Sequence, residues 1–288
     1  MEINAVKRNM KFGVSGRVPP IGVAVEAEKL GYDGLFLADH PGMTMLETWI
    51  ALAWVAGQTT KLRLGTTVTP VPAYVPMRLA KQISTVDMLS NGRTIAGFGA
   101  GHGWIDFRNF HPQGVYPRAK ERVAQYVEGL KLILRLWTAP AEEEVHFEGK
   151  YYSLEDATLW PKPVQKPHPP IWQGGGGDYM LRIAAKYLNG WLGPTWGPLG
   201  ISPEVYGAKV KKVLAYGKKY NRDISEFTFV TMGSVTDSAE QIEKYRAAGA
   251  NYHIAGAPLV AGRPFRISPE EYIKVLRKFA KEIIPSFM

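Results

Sequence analysis

The chain has 288 residues, 45% of them hydrophobic and 21% charged, with no cysteine and a formal net charge of +9. That is an ordinary globular composition, enough for one large α/β domain. The missing cysteines exclude disulfides, thiolate catalysis and cysteine-ligated metals. No apolar run approaches the roughly 18–20 residues a membrane span needs, and "MEINAVKRNMKFGV" has no apolar core of signal-peptide type; a cytoplasmic protein with no membrane role is expected. Lys and Arg are dispersed, clustering only at "KVKK" and "GKKYNR". No nucleic-acid motif accompanies them, which leaves a solvated basic surface or an anionic small ligand.

Strand and helix signals alternate along the chain. "MKFGVSG" (10–16) reads as a strand and "PPIGVAVEAEKLG" (19–31) as a helix closed by Gly31. "DGLFLADH" (33–40) is a buried strand, and "LETWIALAWVAGQ" (46–58) has apolar residues at helical spacing. "LRLGTTVTP" (62–70) is a strand, "PMRLAKQISTVDMLS" (76–90) a helix and "RTIAGFGAG" (93–101) a strand. "AKERVAQYVEGLKLILRLW" (119–137) is a long amphipathic helix. Residues 145–169 break the rhythm with a hairpin and a Pro-rich crossover. The alternation then resumes: strand "PIWQG" and helix "DYMLRIAAKYL", strand "GWLGP" and helix "PEVYGAKVKKVLAYGKKY". Strand "FTFVTMGSV" and helix "SAEQIEKYRAAG" follow, then strand "NYHIAG" and helix "PEEYIKVLRKFAKEI".

Strands that are apolar on both faces are buried parallel strands. Eight strand–helix pairs in this length predict an α/β fold, a (β/α)8 TIM barrel spanning 1–288 as a single domain, with the hairpin and crossover inserted after the fourth helix. A doubly wound open sheet is the alternative, but "GFGAGHG" (97–103) lacks the third glycine of the dinucleotide fingerprint.

In a barrel, chemistry gathers at the C-terminal ends of the strands. Those ends carry Asp39-His40, Thr66-Thr67-Val68-Thr69, Gly99-Ala100-Gly101-His102, the run Gly174, Gly175, Gly176, Gly177, then Thr195-Trp196 and Ala255-Gly256. A glycine-rich strand end feeding a helix presents backbone N–H groups and partial positive charge to a phosphate. The alternative is a glycine loop whose helix is capped by Asp178. His40 and His102 are candidate acid/base residues; Asp39 could orient His40, although strand neighbours point to opposite faces. His111 and His168, beside prolines, read as loop residues. Met43, Met45, Trp49, Trp104, Phe107, Tyr116 and Trp196 could line a slot for a flat ring, or simply pack. No spacing suggests a metal site.

These residues resemble the bacterial luciferase-like flavin- and deazaflavin-dependent oxidoreductases. "GYDGLFLADH", "LRLGTTVTP", "LSNGRTIAGFGAGHGW", "HFEGKYYSL", "PKPVQKPHPPIWQGGGG" and "AAKYLNGW" fit the pattern in order and cover nearly the whole chain. The resemblance implies a (β/α)8 barrel with either coenzyme F420, a deazaflavin that passes hydrides, or FMN. It places His40 over the ring as acid/base, a non-prolyl cis peptide at Thr67–Val68 behind the ring, and the cofactor phosphate at Gly174–Gly177. Catalysis is therefore expected of His40 and His102. Cofactor binding is expected of Asp39, Thr66, Thr67, Val68, Gly99, Gly101 and Gly174 to Gly177. A substrate pocket is expected around Trp49, Trp104 and Trp196.

Two departures stand out. His102 occupies the position of a Glu in the sugar-phosphate dehydrogenases of the deazaflavin branch, and "GPTWGP" lacks their Lys, which argues against a sugar 6-phosphate substrate. The acidic tail of coenzyme F420 suits a basic chain. The expected function is hydride transfer between coenzyme F420 and a small organic substrate. An FMN-dependent monooxygenase or reductase and a non-catalytic flavin-binding protein are the alternatives. Helices 46–58 and 76–90 are apolar around much of their circumference, and a homodimer through them is expected.

Overall fold

The computed structural model describes residues 9–16, 20–42, 46–108, 110–111, 113–195, 197–257 and 267–288. The elements in chain order are β1 (Lys11–Gly16), α1 (Pro20–Lys29), β2 (Gly34–Leu37), α2 (Thr48–Ala56), β3 (Arg63–Thr66), β4 (Thr69–Pro70), α3 (Pro76–Leu89), β5 (Thr94–Gly99), α4 (Trp104–Arg108) and α5 (Ala119–Thr138). They continue with β6 (Val145–Glu148), β7 (Ser153–Ala157), β8 (Ile171–Gly174), α6 (Asp178–Tyr187), β9 (Gly190–Pro194), α7 (Pro203–Lys219), β10 (Thr228–Ser234), α8 (Ala239–Ala247), β11 (Tyr252–Gly256) and α9 (Pro269–Glu282). With β3 and β4 counted as one position and the β6–β7 hairpin set aside, the chain is a (β/α)8 barrel, the class its alternation predicts. The hairpin follows α5 and is antiparallel. No described helix is long and apolar enough to cross a membrane, and no group of three or more potential metal ligands occurs among the described residues.

Two compact units make up the chain. The first comprises Met1–Leu37, Lys61–Arg63 and Ile171–Met288. Its parallel strands run in the order β2-β1-β11-β10-β9-β8. Their apolar side chains alternate between the two faces of the sheet and are buried on both. On one side Phe36 stacks on Trp172 at 5.1 Å, and Tyr252 meets the Trp172 ring edge-on at 5.0 Å. On the helix side the Tyr272 hydroxyl of α9 donates to the carbonyls of Ser15 and Ala255 at 2.7 and 3.0 Å, tying that helix to β1 and β11. Helix α9 starts where its sequence says it should: Ser268 and Glu271 form a reciprocal capping box with Pro269 at the first helical position.

The second unit comprises Ala38–Thr60 and Leu64–Pro170. Strand β5 pairs in parallel with β3 and with β4. The sequence reads 62–70 as one strand; the structure divides it into β3 and β4, and the Thr67–Val68 peptide between them is cis, as the resemblance implies. Helix α3 packs on β5, and α2 and α5 pack on α3. The hairpin is held to α5 by Glu128, whose carboxylate accepts the backbone N–H groups of Lys150, Tyr151 and Tyr152 at 3.1, 2.6 and 2.8 Å. The Pro-rich crossover is anchored on buried Asp87, which accepts from the backbone and side chain of Gln165 at 3.0 and 2.7 Å. A polar side chain at a fully buried helix position is retained because its acceptors are all used.

Candidate functional site

In the second unit, Asp39 and His40 follow β2 by two and three residues, and they do not serve each other. The carboxylate of Asp39 accepts from the Tyr74 hydroxyl with both oxygens, at 2.9 and 3.0 Å. Burial pushes its carboxyl up to about 7, opposed only in part by hydrogen bonds from Thr69 and Tyr74. His40 is paired instead with Asp106 of α4: Nδ1 lies 3.0 Å from Oδ2. Asp106 is 2% exposed, and its other oxygen accepts the Gly42 backbone N–H at 3.1 Å. The imidazole of His102 meets that of His40 edge-on, with ring centroids 5.9 Å apart.

The backbone that carries His102 is pinned from outside. Tyr116 donates its hydroxyl to the His102 carbonyl at 3.0 Å, and Arg122 Nε donates to the Gly101 carbonyl at 3.2 Å. The Arg122 guanidinium lies over the Tyr116 ring, 4.7 Å from its centroid. Thr66 donates to the Gly97 carbonyl at 2.8 Å and accepts from Thr69 at 3.1 Å, fixing the segment on either side of the cis peptide. Gly99 sits against it: a Cβ there would come within 2.6 Å of Val68 Cγ2, so only glycine admits that side chain.

The expected slot residues divide. Trp49 and Phe107 are buried, the former with an indole N–H that has no hydrogen-bond partner among the described residues. Trp104 and Tyr116 are exposed, and Arg108 stacks over the Trp104 ring. Met43, Met45 and Trp196 lie outside the described residues. Sequence reasoning missed Asp106, Tyr74 and Arg122. Asp106 lies 66 positions from His40, and its helix is too short to show a period. His111, read as a loop residue, lies outside helix and strand and is buried against Phe107.

In the first unit, the four-glycine run closes β8 and opens α6. Gly177 is the helix N-cap, extended in backbone, and no side chain caps the helix. Asp178 does not cap it, contrary to the structural alternative. Its carboxylate accepts from Lys212 Nζ at 3.0 Å and Tyr216 Oη at 2.8 Å and pairs with Arg182 at 2.7 Å. Two carbonyls of the run are turned to internal donors: Gly175 O to Trp191 Nε1 at 3.0 Å and Gly176 O to Lys209 Nζ at 2.6 Å. An uncapped helix start, a run without side chains and an adjacent ammonium make a donor set suited to a phosphate. The residues present therefore fit the phosphate of a flavin or deazaflavin.

A luciferase-like monooxygenase family model matches residues 21–281, nine-tenths of the chain. The chain belongs to the luciferase-like monooxygenase family. Among curated relatives of this family member, an F420-dependent glucose-6-phosphate dehydrogenase of Kineococcus radiotolerans is 30% identical over 236 residues, 77% of this chain and 66% of that protein. The chain thus spans about two thirds of that relative's length. Among solved structures, an F420-dependent secondary alcohol dehydrogenase in complex with an F420-acetone adduct aligns with a TM-score of 0.79 at 18% identity. It covers 98% of this chain and 100% of that one. Monooxygenase RslO1 from Streptomyces bottropensis gives 0.80 at 20% identity, covering 97% and 100%. At these identities the likeness to the two structures is one of fold, the (β/α)8 barrel of the luciferase-like family.

Proposed function

We propose that this luciferase-like protein is an oxidoreductase that transfers a hydride between coenzyme F420 and a small organic substrate. The observation that carries the reading is His40, held through Nδ1 by a buried carboxylate while Nε2 takes no partner among the described residues. A histidine so held can accept or return a proton at Nε2 as a bound alcohol or carbonyl changes oxidation state. The deazaflavin, when bound, would supply the hydride chemistry. Within the first unit, Gly174 to Gly177 with Lys209 would suit a cofactor phosphate; within the second, Asp39, Thr66, Thr67, Val68, Gly99 and Gly101 would suit a cofactor ring. The curated relative named above uses coenzyme F420, and a net charge of +9 suits an acidic cofactor tail. The loop after β9 carries no cation from Thr195 to Gly200, which argues for an unphosphorylated substrate there.

A second reading is FMN-dependent oxygenation on the same residues, supported by the monooxygenase family model. Titration of the purified protein with coenzyme F420 and with FMN separates the two. Tight stoichiometric binding of F420 is expected; stoichiometric FMN binding with none of F420 overturns the proposal. With F420 bound, His40→Ala is expected to lower turnover by roughly 10²–10⁴-fold with little change in cofactor affinity. Unaltered turnover would remove His40 from the reaction. The protein is further proposed to be a homodimer through α2 and α3, acting on a small molecule in the cytoplasm.

A further inference from the structure

The short helix α4 has no periodic signature and follows β5 by only a few residues, yet it carries the one carboxylate among the described residues that meets His40. Three observations describe how it is placed. Asp106 Oδ2 lies 3.0 Å from His40 Nδ1, and Oδ1 accepts the Gly42 N–H at 3.1 Å. The carboxylate is buried, so both oxygens must be used by protein donors. The turn carrying His40 also packs directly on the start of α4. A Cβ at Gly42 would stand 2.3 Å from the Ile105 carbonyl oxygen and 2.9 Å from the Asp106 nitrogen, so no other residue allows that approach.

We infer that Asp106 is a positioning residue that fixes His40 in its Nδ1–H tautomer, and that Gly42 is the residue that lets α4 reach it. A carboxylate only accepts hydrogen bonds, so the atom facing it must be a donor. The neutral imidazole then carries its proton on Nδ1 and its lone pair on Nε2. Nε2 becomes the atom that takes the proton of a bound alcohol and gives it back to a carbonyl. The inference rests on the proposed role of His40, but the tautomer is a property of the free protein.

Asp106→Asn inverts the arrangement with almost no change in shape. The Asn carbonyl oxygen still accepts from Gly42, and its NH2 group now faces Nδ1. A donor facing Nδ1 requires a lone pair there, so the proton moves to Nε2 and the base is lost. Gly42→Ala alters no polar atom but lifts the turn off α4, so the acceptor is withdrawn from Nδ1 and neither tautomer is imposed.

The test is nitrogen-15 NMR of histidine-labelled full-length protein above the titration range of imidazole, with the His40 signals assigned by comparison with His40→Gln. The expected result is a pyrrole-type Nδ1 and a pyridine-type Nε2 in the parent. The two should be exchanged in Asp106→Asn and mixed in Gly42→Ala. Turnover should fall by roughly 10²–10⁴-fold in Asp106→Asn with KM nearly unchanged, and Asp106→Glu should restore part of it. A parent with its proton on Nε2, or an Asp106→Asn protein with the parental tautomer, overturns the inference. A parent that reduces no substrate with F420 overturns the proposed function alone, because the tautomer is read without turnover.

Discussion

Asp39 shows how far a carboxyl can be shifted by where it is put. It is buried beside Tyr74, and its folded pKa is raised from 3.8 to about 7 by that burial. Between those two values the folded state holds a proton that the unfolded state has released. Asp39 therefore stabilises fully below about pH 4, and that contribution is lost as the pH rises towards 7. Asp39→Asn keeps an acceptor for Tyr74 and removes the titration. Urea denaturation at about pH 5 and about pH 8 should show a smaller difference in the variant than in the parent, with the variant more stable at the higher pH by up to about 4 kcal/mol. Equal slopes in the two proteins would show that Asp39 is ionised in the fold. The pair Asp39-His40 was legible from its place after a buried strand, and period-two geometry already warned that the two side chains diverge. Their true partners were not legible. Tyr74 is 35 positions away and Asp106 is 66, and neither belongs to a repeating pattern.

Among the elements, the four-glycine loop separates strain from ligand contact. Gly175 has φ of +98°, whereas Gly177 is extended and a Cβ there would meet nothing within 4 Å. Gly175→Ala should therefore cost about 1–2 kcal/mol of stability whatever the protein binds. Gly177→Ala is unstrained and should cost less, about 0.5–1 kcal/mol, because alanine is a poorer N-cap than glycine. If the loop cradles a phosphate, Gly177→Ala still weakens cofactor binding, because a methyl group stands where the anion approaches the backbone. Calorimetric titration beside thermal melts distinguishes these outcomes, and a Gly177→Ala protein with parental affinity places the phosphate elsewhere. Long periodic helices and the glycine run were readable because each is a local pattern. Lys209 was not, since it lies 33 positions beyond Gly176 and only the packing of α7 on α6 brings it to the loop. The third strand was read as continuous because Thr67 and Val68 are both strand-favouring residues.

For the whole molecule, the question is what α2 and α3 do with their outer faces. Helix α2 buries Trp49, Leu52 and Val55 and still exposes Ile50 at 69% and Trp54 at 42%. Leu46 before it, and Met88 and Leu89 at the end of α3, are exposed as well. Single exposed apolar residues need no explanation, but five on or beside two helices that pack together are the basis for proposing that this face is covered. The same expectation was readable in the sequence from the near-uniform hydrophobicity of α2. A second copy of the chain is the proposed cover. Ile50→Glu sets a carboxylate on that face at a position already exposed in the single chain, so the monomer loses little stability from the change. In a dimer the same carboxylate is desolvated opposite its symmetry mate, or close to it, which opposes association. Light scattering behind size-exclusion chromatography should give a dimer mass for the parent and a monomer mass for Ile50→Glu, with melting of the variant made independent of protein concentration. A parent that elutes at 32.0 kDa, or a variant that still elutes as a dimer, would move the interface away from α2.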